Sequence, residues 1–179
     1  QAGQSTRLRI VYDGAPHATK RAPWDGGFVW STTPDGKPWI ATAVQGEGCD
    51  LFWPCIDHPQ GEPGRVDLHI TVPSDLSAPS NGRFVSKTDN GDGTTTWNWT
   101  ARDANTYAIA VNVGPYKELS GDYRSRFGNV VPMRFWHLPT ASAGRPEALF
   151  AEFPQMLDFY EATVGPFPFG DEKMGVVET

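Results

Sequence analysis

Short segments in which apolar and polar residues alternate are the clearest pattern in this chain. In residues 65–72, Val, Leu, Ile and Val alternate with Arg, Asp, His and Thr. This alternation is typical of an antiparallel strand with one face in water, so His69 is predicted to point to solvent. Similar patterns predict strands over residues 6–12, 83–87, 94–101, 107–113 and 130–138.

A hairpin is predicted earlier in the chain, where residues 24–30 and 38–44 flank a turn at residues 34–36. With 19 Gly and 16 Pro the chain is rich in turn residues. Several short strands separated by Gly and Asn turns indicate a mainly β fold. We predict an antiparallel, saddle-like β-sandwich domain over residues 1–138.

The period changes after residue 138. Residues 139–144 have the small, polar composition of a linker, and residues 145–164 carry apolar side chains at helical spacing. Pro154 interrupts this pattern, which predicts either one kinked helix or two helices with the second starting at the proline. Residues 173–178 predict a strand. Residues 139–179 are therefore predicted to be a linker followed by the first helix and strand of an α/β domain. Residues 119–128 are rich in Gly, Ser, Asp and Arg and are predicted to be irregular.

Composition excludes several classes of protein. The net charge is −6, and the Lys and Arg residues are scattered rather than clustered, so a nucleic-acid binder is not expected. No apolar run approaches the ~18 residues of a membrane span. With 39% hydrophobic residues, the chain reads as a soluble globular protein. Its first residues have no features of a secretory signal, and the compartment is left open.

The loop formed by residues 45–59, Q-G-E-G-C-D-L-F-W-P-C-I-D-H-P, concentrates the candidate chemistry. Its Gly and Pro residues favour tight, rigid turns, so Gln45 and Glu47 can present an amide and a carboxylate in a set geometry. Cys49 and Cys55 lie six residues apart. We interpret them as free thiols, with a disulfide as the alternative and a zinc site with His58 less favoured still.

This loop resembles a signature of a known enzyme family. Q-x-E followed by W-P-C-x-D-x-P is similar to a motif of the gluzincin zinc metallo-aminopeptidases, the aminopeptidase N and leukotriene hydrolase family. P-W-D-G-G-F-V-W at residues 23–30, V-P-S-D-L-x-A-x-S-N-G-R at 72–83 and F-Y-E-A-T-V-G-P-F-P-F at 159–169 resemble the same family in the same order. The resemblance implies an N-terminal β domain followed by the start of a thermolysin-like catalytic domain.

The zinc motif of that family is not found in this sequence. Its ligands lie in H-E-x-x-H and on a later helix, whereas His17, His58, His69 and His137 have no such spacing. K-M-G-V-V-E-T at residues 173–179 resembles the strand before the family's G-x-M-E-N-type segment. We therefore expect an internal fragment of a zinc-dependent aminopeptidase, with the zinc and its ligands elsewhere. The fragment itself is expected to be inactive, with no catalytic residue, no metal ligand and no cofactor.

The resemblance also implies roles for two residues. Spacing alone favours Glu47 as a carboxylate that caps its own loop. In the family, however, the acid of Q-x-E helps to bind the free α-amino group of the substrate, and Gln45 corresponds to a residue that contacts the bound peptide. Gln45 and Glu47 are therefore the predicted substrate-binding residues. The implied partners are peptides with a free N-terminus and the remaining catalytic domain of the same protein.

Other residues in the sequence suggest three other functions. The seven Trp residues allow a non-catalytic β-sandwich module that binds carbohydrate or a protein partner. However, Trp97 and Trp99 share one strand face with Ala101, which favours a core position. Asp57 with His58 lacks a nucleophile for a triad, and Asp50 with Glu47 lies too close in sequence for a glycosidase pair. The binding module remains the alternative function.

Overall fold

The structure is a computed structural model that describes residues 3–179, so the first two residues of the predicted N-terminal domain lie outside the described residues. The described chain is mainly β, as the alternating patterns predict, with nine strands and two α-helices. The strands are β1 (Gly27–Thr32), β2 (Pro38–Ala43), β3 (Arg65–Pro73), β4 (Arg83–Asp89), β5 (Thr94–Arg102), β6 (Asn112–Val113), β7 (Lys117–Arg124), β8 (Val130–His137) and β9 (Met174–Val177). The helices are α1 (Arg145–Ala151) and α2 (Phe153–Thr163).

The strands form three sheets, with the orders β1-β2-β6, β3-β5-β4 and β7-β8-β9. All strand pairs are antiparallel except β8 with β9, which is parallel. The predicted hairpin is confirmed, since β1 pairs with β2 over its full length. Two apolar clusters contain residues from more than one sheet. One contains Val72, Leu76, Ala78 and Val113, and the other contains Trp99, Tyr116, Trp136 and Leu138.

The second sheet follows the sequence pattern most closely. In β3, Val66, Leu68 and Ile70 turn inward while the polar residues between them remain exposed. His69 is exposed, as predicted, and its Nδ1 lies 2.5 Å from Asn98 Oδ1 on β5. The pairing register of β3 is strongly specified, because a shift of one residue would exchange its apolar and polar faces.

The third sheet packs against the helices. Tyr123, Val131, Met133 and Phe135 from the sheet form a core with Phe153 and Leu157 of α2. Proline lies in the first turn of α2, so the alternative with two helices is confirmed. The turn at Gly165 ends the helical region, and β9 then returns to pair with β8. The domain division at residues 138 and 139 stays a prediction, and β8 and β9 from its two sides share one sheet.

Three predicted segments differ from the structure over all or part of their length. Residues 6–12 form no strand, because none of the described residues pairs with them as a neighbouring strand. Of the segment predicted to be irregular, residues 119–124 instead belong to β7, which pairs with β8 from Lys117 to Arg124, whereas residues 125–128 form the turn between the two strands. Of the strand predicted at residues 107–113, only Asn112 and Val113 are in a sheet, and Thr106–Ala108 form a 3-10 turn.

A buried carboxylate fixes the β7–β8 hairpin to α2. Glu161 is 4% exposed and accepts hydrogen bonds from Ser125 Oγ at 2.6 Å, Tyr123 Oη at 2.9 Å and the Arg126 amide at 3.1 Å. Burial opposes ionisation of Glu161, but the three hydrogen bonds outweigh it and hold its pKa below the usual value. The charged form of Glu161 therefore stabilises the packing of the hairpin on the helix.

Replacing Glu161 with Gln is expected to lower the midpoint of thermal unfolding of the 179-residue chain by several degrees at pH 7. The neutral amide of Gln is a weaker acceptor than the carboxylate. Its NH2 group cannot accept the hydrogen bonds that Ser125, Tyr123 and Arg126 donate. Because the folded pKa is lowered, the stabilisation is complete above the unfolded value near 4.5 and is lost as the pH falls through the folded pKa. Circular dichroism at pH 7 and pH 3 measures both effects. Glu152→Gln, an exposed change on the same helical region, is the control, and an equal loss there would contradict the prediction.

No helix within residues 3–179 combines the length and the apolar character that crossing a membrane requires.

Candidate functional site

Gln45 and Glu47 follow directly after β2, in a turn closed by a hydrogen bond of 3.1 Å from the Glu47 amide to the Val44 carbonyl oxygen. Gly46 lies between them with φ +77°, a conformation that favours glycine. Both side chains are exposed. Within residues 3–179, neither the Gln45 amide group nor the Glu47 carboxylate forms a hydrogen bond with another residue. Glu47 therefore does not cap its own loop, and both polar groups are free to bind a ligand.

The loop backbone is held by the run P-W-D-G-G-F. A Cβ atom at Gly26 would lie 2.6 Å from Glu47 Cβ and 2.7 Å from Leu51 Cδ1, so only glycine allows this approach. Asp25 accepts hydrogen bonds from Thr19 Oγ1 and from two backbone amides, which fixes the turn before Gly26. These contacts give the W-D-G-G motif a physical role, because its Asp25 and Gly26 support the loop at Glu47 and Leu51.

A disulfide closes the loop. Cys49 and Cys55 are bonded, with a Cα–Cα distance of 6.2 Å that lies within the range such bonds need. Our interpretation of two free thiols is therefore wrong. The reason is a 3-10 turn at Cys49–Leu51, together with the buried Phe52, which packs edge-on against Phe28 and returns the chain towards Cys49. The disulfide restricts residues 49–55, the part of the loop that begins two residues after Glu47.

The far side of the loop is supported by the turn that replaces a predicted strand. Thr106 Oγ1 donates a hydrogen bond of 3.1 Å to the Ile56 carbonyl oxygen, and Asn105 Nδ2 donates one of 2.8 Å to the Pro59 carbonyl oxygen. His58 accepts a hydrogen bond from the Gln60 amide at its Nδ1 atom, so it shapes a local turn. This contact supports the structural interpretation of Asp57 and His58.

A cleft of 580 Å³ runs along β2. Its floor is the strand itself, Gln45 lies at one end, and Tyr107 and Thr179 contribute to its walls. Apolar side chains such as Val29 and Ile40 line most of it. Gln45 therefore lies in the cleft, whereas Glu47 lies in the turn beside it. The sequence did not indicate Tyr107 or Thr179, because a residue's place in a cleft leaves no local pattern.

The described part of the chain offers no metal site. No group of three or more His, Cys, Asp or Glu side chains in residues 3–179 is placed to hold an ion. Both cysteine sulfurs are used in the disulfide, which rules out the weighed zinc site with His58. The residues present do not fit a zinc ion.

Trp97 and Trp99 of β5 do not form an exposed platform. Trp99 is 2% exposed, and its Nε1 donates a hydrogen bond of 2.9 Å to the Ala78 carbonyl oxygen. Trp97 on the same face packs beside it against Phe84. The core interpretation is therefore confirmed for Trp99.

The chain is similar to known metallopeptidases in both sequence and fold. It is 31% identical to the aminopeptidase N of Haemonchus contortus over 140 residues, which is 73% of this chain and 13% of that protein. It superposes on the M1 zinc metallopeptidase of Deinococcus radiodurans with a TM-score of 0.65 and 27% identity, covering 78% of this chain and 31% of that one. A mutant of that enzyme bound to a Tyr-Ser-Ala substrate gives 0.66 and 27%, covering 83% and 33%. No family model matches the chain. This chain thus spans about a third of the length of the solved relatives and a smaller share of the Haemonchus contortus protein.

Proposed function

Because this chain matches the N-terminal part of the M1 zinc metallopeptidases in sequence and in fold, we propose that it supplies the substrate-recognition loop of a zinc-dependent aminopeptidase. In this proposal the full-length protein, meaning the protein that contains this chain, removes N-terminal residues from peptides. Zinc bound elsewhere in that protein would supply a Lewis acid for the hydrolysis. The zinc ligands lie outside this chain, in the remaining catalytic domain, since the described residues form no metal site.

The observation that carries the proposal is the state of the Glu47 carboxylate. It is exposed, forms no hydrogen bond among residues 3–179, and lies in a turn two residues before the disulfide-closed segment of residues 49–55. A carboxylate in this state can accept charge-assisted hydrogen bonds from the ammonium group of a peptide N-terminus. The backbone hydrogen bond from Glu47 to Val44 and the close approach of Gly26 to the Glu47 Cβ atom limit the conformational freedom that is lost when the amine binds.

Gln45 complements Glu47 in this role. Its amide lies in the cleft along β2, where it can donate to a peptide carbonyl oxygen and accept from a peptide N–H group. If Glu47 binds the free amine and Gln45 binds a peptide bond, the two contacts together would determine which peptide bond of the substrate is cleaved. Peptides with a blocked N-terminus would lack the first contact, which is the physical basis of selectivity for free N-termini.

The binding-module alternative is not favoured. The relatives found are peptidases, and Trp99, one of the aromatic residues that suggested a sugar platform, lies in the core. No contact in the described residues points to a carbohydrate.

The proposal is tested by assaying the full-length protein on amino-acid p-nitroanilides, with the free amine or with the amine acetylated. We expect hydrolysis of the free-amine substrates only. A metal chelator should abolish the activity and added Zn²⁺ should restore it, because the zinc supplies the Lewis acid. The 179-residue chain alone is the control and should not hydrolyse either substrate. Equal rates on acetylated substrates, or no hydrolysis by the full-length protein, would overturn the proposal.

A further inference from the structure

The strand β9 pairs with β8, and the chain that follows it reaches the cleft along β2. Among the described residues it pairs with β8 alone, from Met174 opposite Met133 to Val177 opposite Trp136. Glu178 follows β9, and Thr179 then lines the same cleft as Gln45. A strand with a neighbour on one side only needs side-chain contacts to hold its position. The structure supplies such contacts at both of its ends.

At the end of β9, the backbone of Glu178 is held by two aromatic side chains. Its carbonyl oxygen accepts hydrogen bonds from Tyr116 Oη at 3.1 Å and Trp39 Nε1 at 3.3 Å. Trp39 Nε1 also donates to Tyr116 Oη at 2.9 Å, which links the two donors. Tyr116 is buried, and burial raises its pKa to about 12, so its hydroxyl remains a protonated donor.

Two further hydrogen bonds fix the same residue to β8. The Glu178 amide donates to the Trp136 carbonyl oxygen at 2.9 Å, and the Glu178 carboxylate accepts from the Leu138 amide at 2.7 Å. Its backbone donor, its backbone acceptor and its side chain are thus all engaged. The path of the chain at Glu178 is therefore set by Trp39 and Tyr116 on one side and by β8 on the other.

At the start of β9, Lys173 reaches across to the second sheet. Its Nζ donates to the Ser80 carbonyl oxygen at 2.7 Å and also to that of Gly82. The ammonium lies 4.6 Å from the ring centre of Trp99 and 5.7 Å from that of Trp136, within the range of cation–π attraction. Burial lowers the pKa of Lys173 to about 8. The side chain is charged at neutral pH and holds β9 to the core of the second sheet.

These contacts matter for the recognition loop because Trp39 lies in β2, and Gln45 follows the end of that strand. The distance along β2 from Trp39 to its last residue, Ala43, is roughly 13 Å for an extended strand, and Gln45 follows two residues later. A paired strand is stiff over this length, so the position of Glu178 relative to Trp39 also sets its position relative to Gln45. The cleft is built on this shared strand.

We propose that Trp39 and Tyr116 are positioning residues, which hold Glu178 so that the chain leaving β9 keeps a fixed position relative to the Gln45–Glu47 loop. The inference rests on the proposed function, in which catalytic residues outside this chain must meet a substrate held by that loop. Neither aromatic side chain is assigned a contact with substrate. Both act through Glu178 and β2.

The test uses the full-length protein with Tyr116→Phe and Trp39→Phe. Each change keeps an aromatic ring and removes one donor to the Glu178 carbonyl oxygen. Tyr160→Phe is the matched control, since the exposed Tyr160 hydroxyl has no hydrogen bond to the described residues. We expect KM for a free-amine p-nitroanilide to rise about threefold to tenfold in the two variants, as the loss of one neutral hydrogen bond implies. The double variant should show less than the product of the two effects, because both residues serve one contact.

Two readouts separate positioning from general stability. Kinetics are measured at a temperature where all variants are folded, so a purely structural role would lower the unfolding midpoint and leave KM unchanged. Hydrogen exchange of the peptide that contains Glu178 should also become faster in Tyr116→Phe and remain unchanged in Tyr160→Phe. An active wild-type protein whose Tyr116→Phe and Trp39→Phe variants match the control would overturn this inference and leave the proposed function intact. An inactive wild-type protein would overturn the proposed function and this inference with it.

Discussion

Replacing Glu47 with Ala in the full-length protein is expected to lower kcat/KM for substrates with a free N-terminal amine by about tenfold to 150-fold. A hydrogen bond to a charged group contributes about 1.5–3 kcal/mol, and about 1.4 kcal/mol corresponds to a factor of ten. The carboxylate is exposed and forms no hydrogen bond within residues 3–179, so its removal should cost little stability. Steady-state kinetics on amino-acid p-nitroanilides measure the effect.

The same loop supplies a matched control. Asp50 is an exposed acid three residues from Glu47, and Asp50→Ala removes the same charge. We expect Asp50→Ala to change kcat/KM less than threefold, whereas Gln45→Ala should lower it about threefold to tenfold through one neutral hydrogen bond. If Asp50→Ala matched Glu47→Ala, the effect would be one of general charge. Wild-type kinetics in Glu47→Ala would remove Glu47 from the substrate site.

Replacing Gly82 with Ala is expected to be the most destabilising of these changes, at about 2–5 kcal/mol. Gly82 has φ +75°, which costs a residue with a Cβ atom about 1–2 kcal/mol. Its Cβ atom would also meet the Thr100 carbonyl group and lie 2.7 Å from Ala101 Cα on β5. These are backbone atoms of a central strand, so relieving the overlap requires movement of the strand itself, which adds about 1–3 kcal/mol.

Gly91 is the control for this prediction. It has the same φ of +75°, but a Cβ atom there would meet nothing within 4 Å. Gly91→Ala should therefore show the conformational cost alone, about 1–2 kcal/mol. Denaturant unfolding of the 179-residue chain, followed by tryptophan fluorescence, compares the two variants. Equal losses would show that the approach of Gly82 to β5 contributes nothing to stability.

Gly82 also shows how a sequence motif and a structure inform each other. The run S-N-G-R was used only as a resemblance, and the structure gives it a physical cause. Asn81 accepts a hydrogen bond from the Ala110 amide, and Gly82 lies against β5 just before β4 begins. The Gly82 carbonyl oxygen then receives Lys173 from the far end of the chain. None of these partners is near in sequence, so residues 80–83 alone could not predict them.

Local periodicity explains which elements could be predicted. β3 alternates along its whole length because one face is buried and the other is in water, and its apolar and polar side chains follow that difference directly. Pro154 marks the start of α2 because it fits the first turn of a helix. β7 was missed because its Gly, Ser and Asp residues have low strand propensity, and its pairing with β8 overrides that preference. Residues 6–12 show the converse, since they alternate but pair with no strand among the described residues.

Within the candidate site, the amino-acid sequence alone identified the chemistry: an amide and a carboxylate two residues apart, on a loop of glycines, prolines and cysteines. Tertiary structure alone decided how that chemistry is presented. It joined Cys49 to Cys55, left the Glu47 carboxylate without a partner in residues 3–179, and brought Glu178 to Trp39 from 139 residues away. The reason is physical, since backbone preferences act over a few residues whereas bond formation and burial depend on groups that only folding brings together.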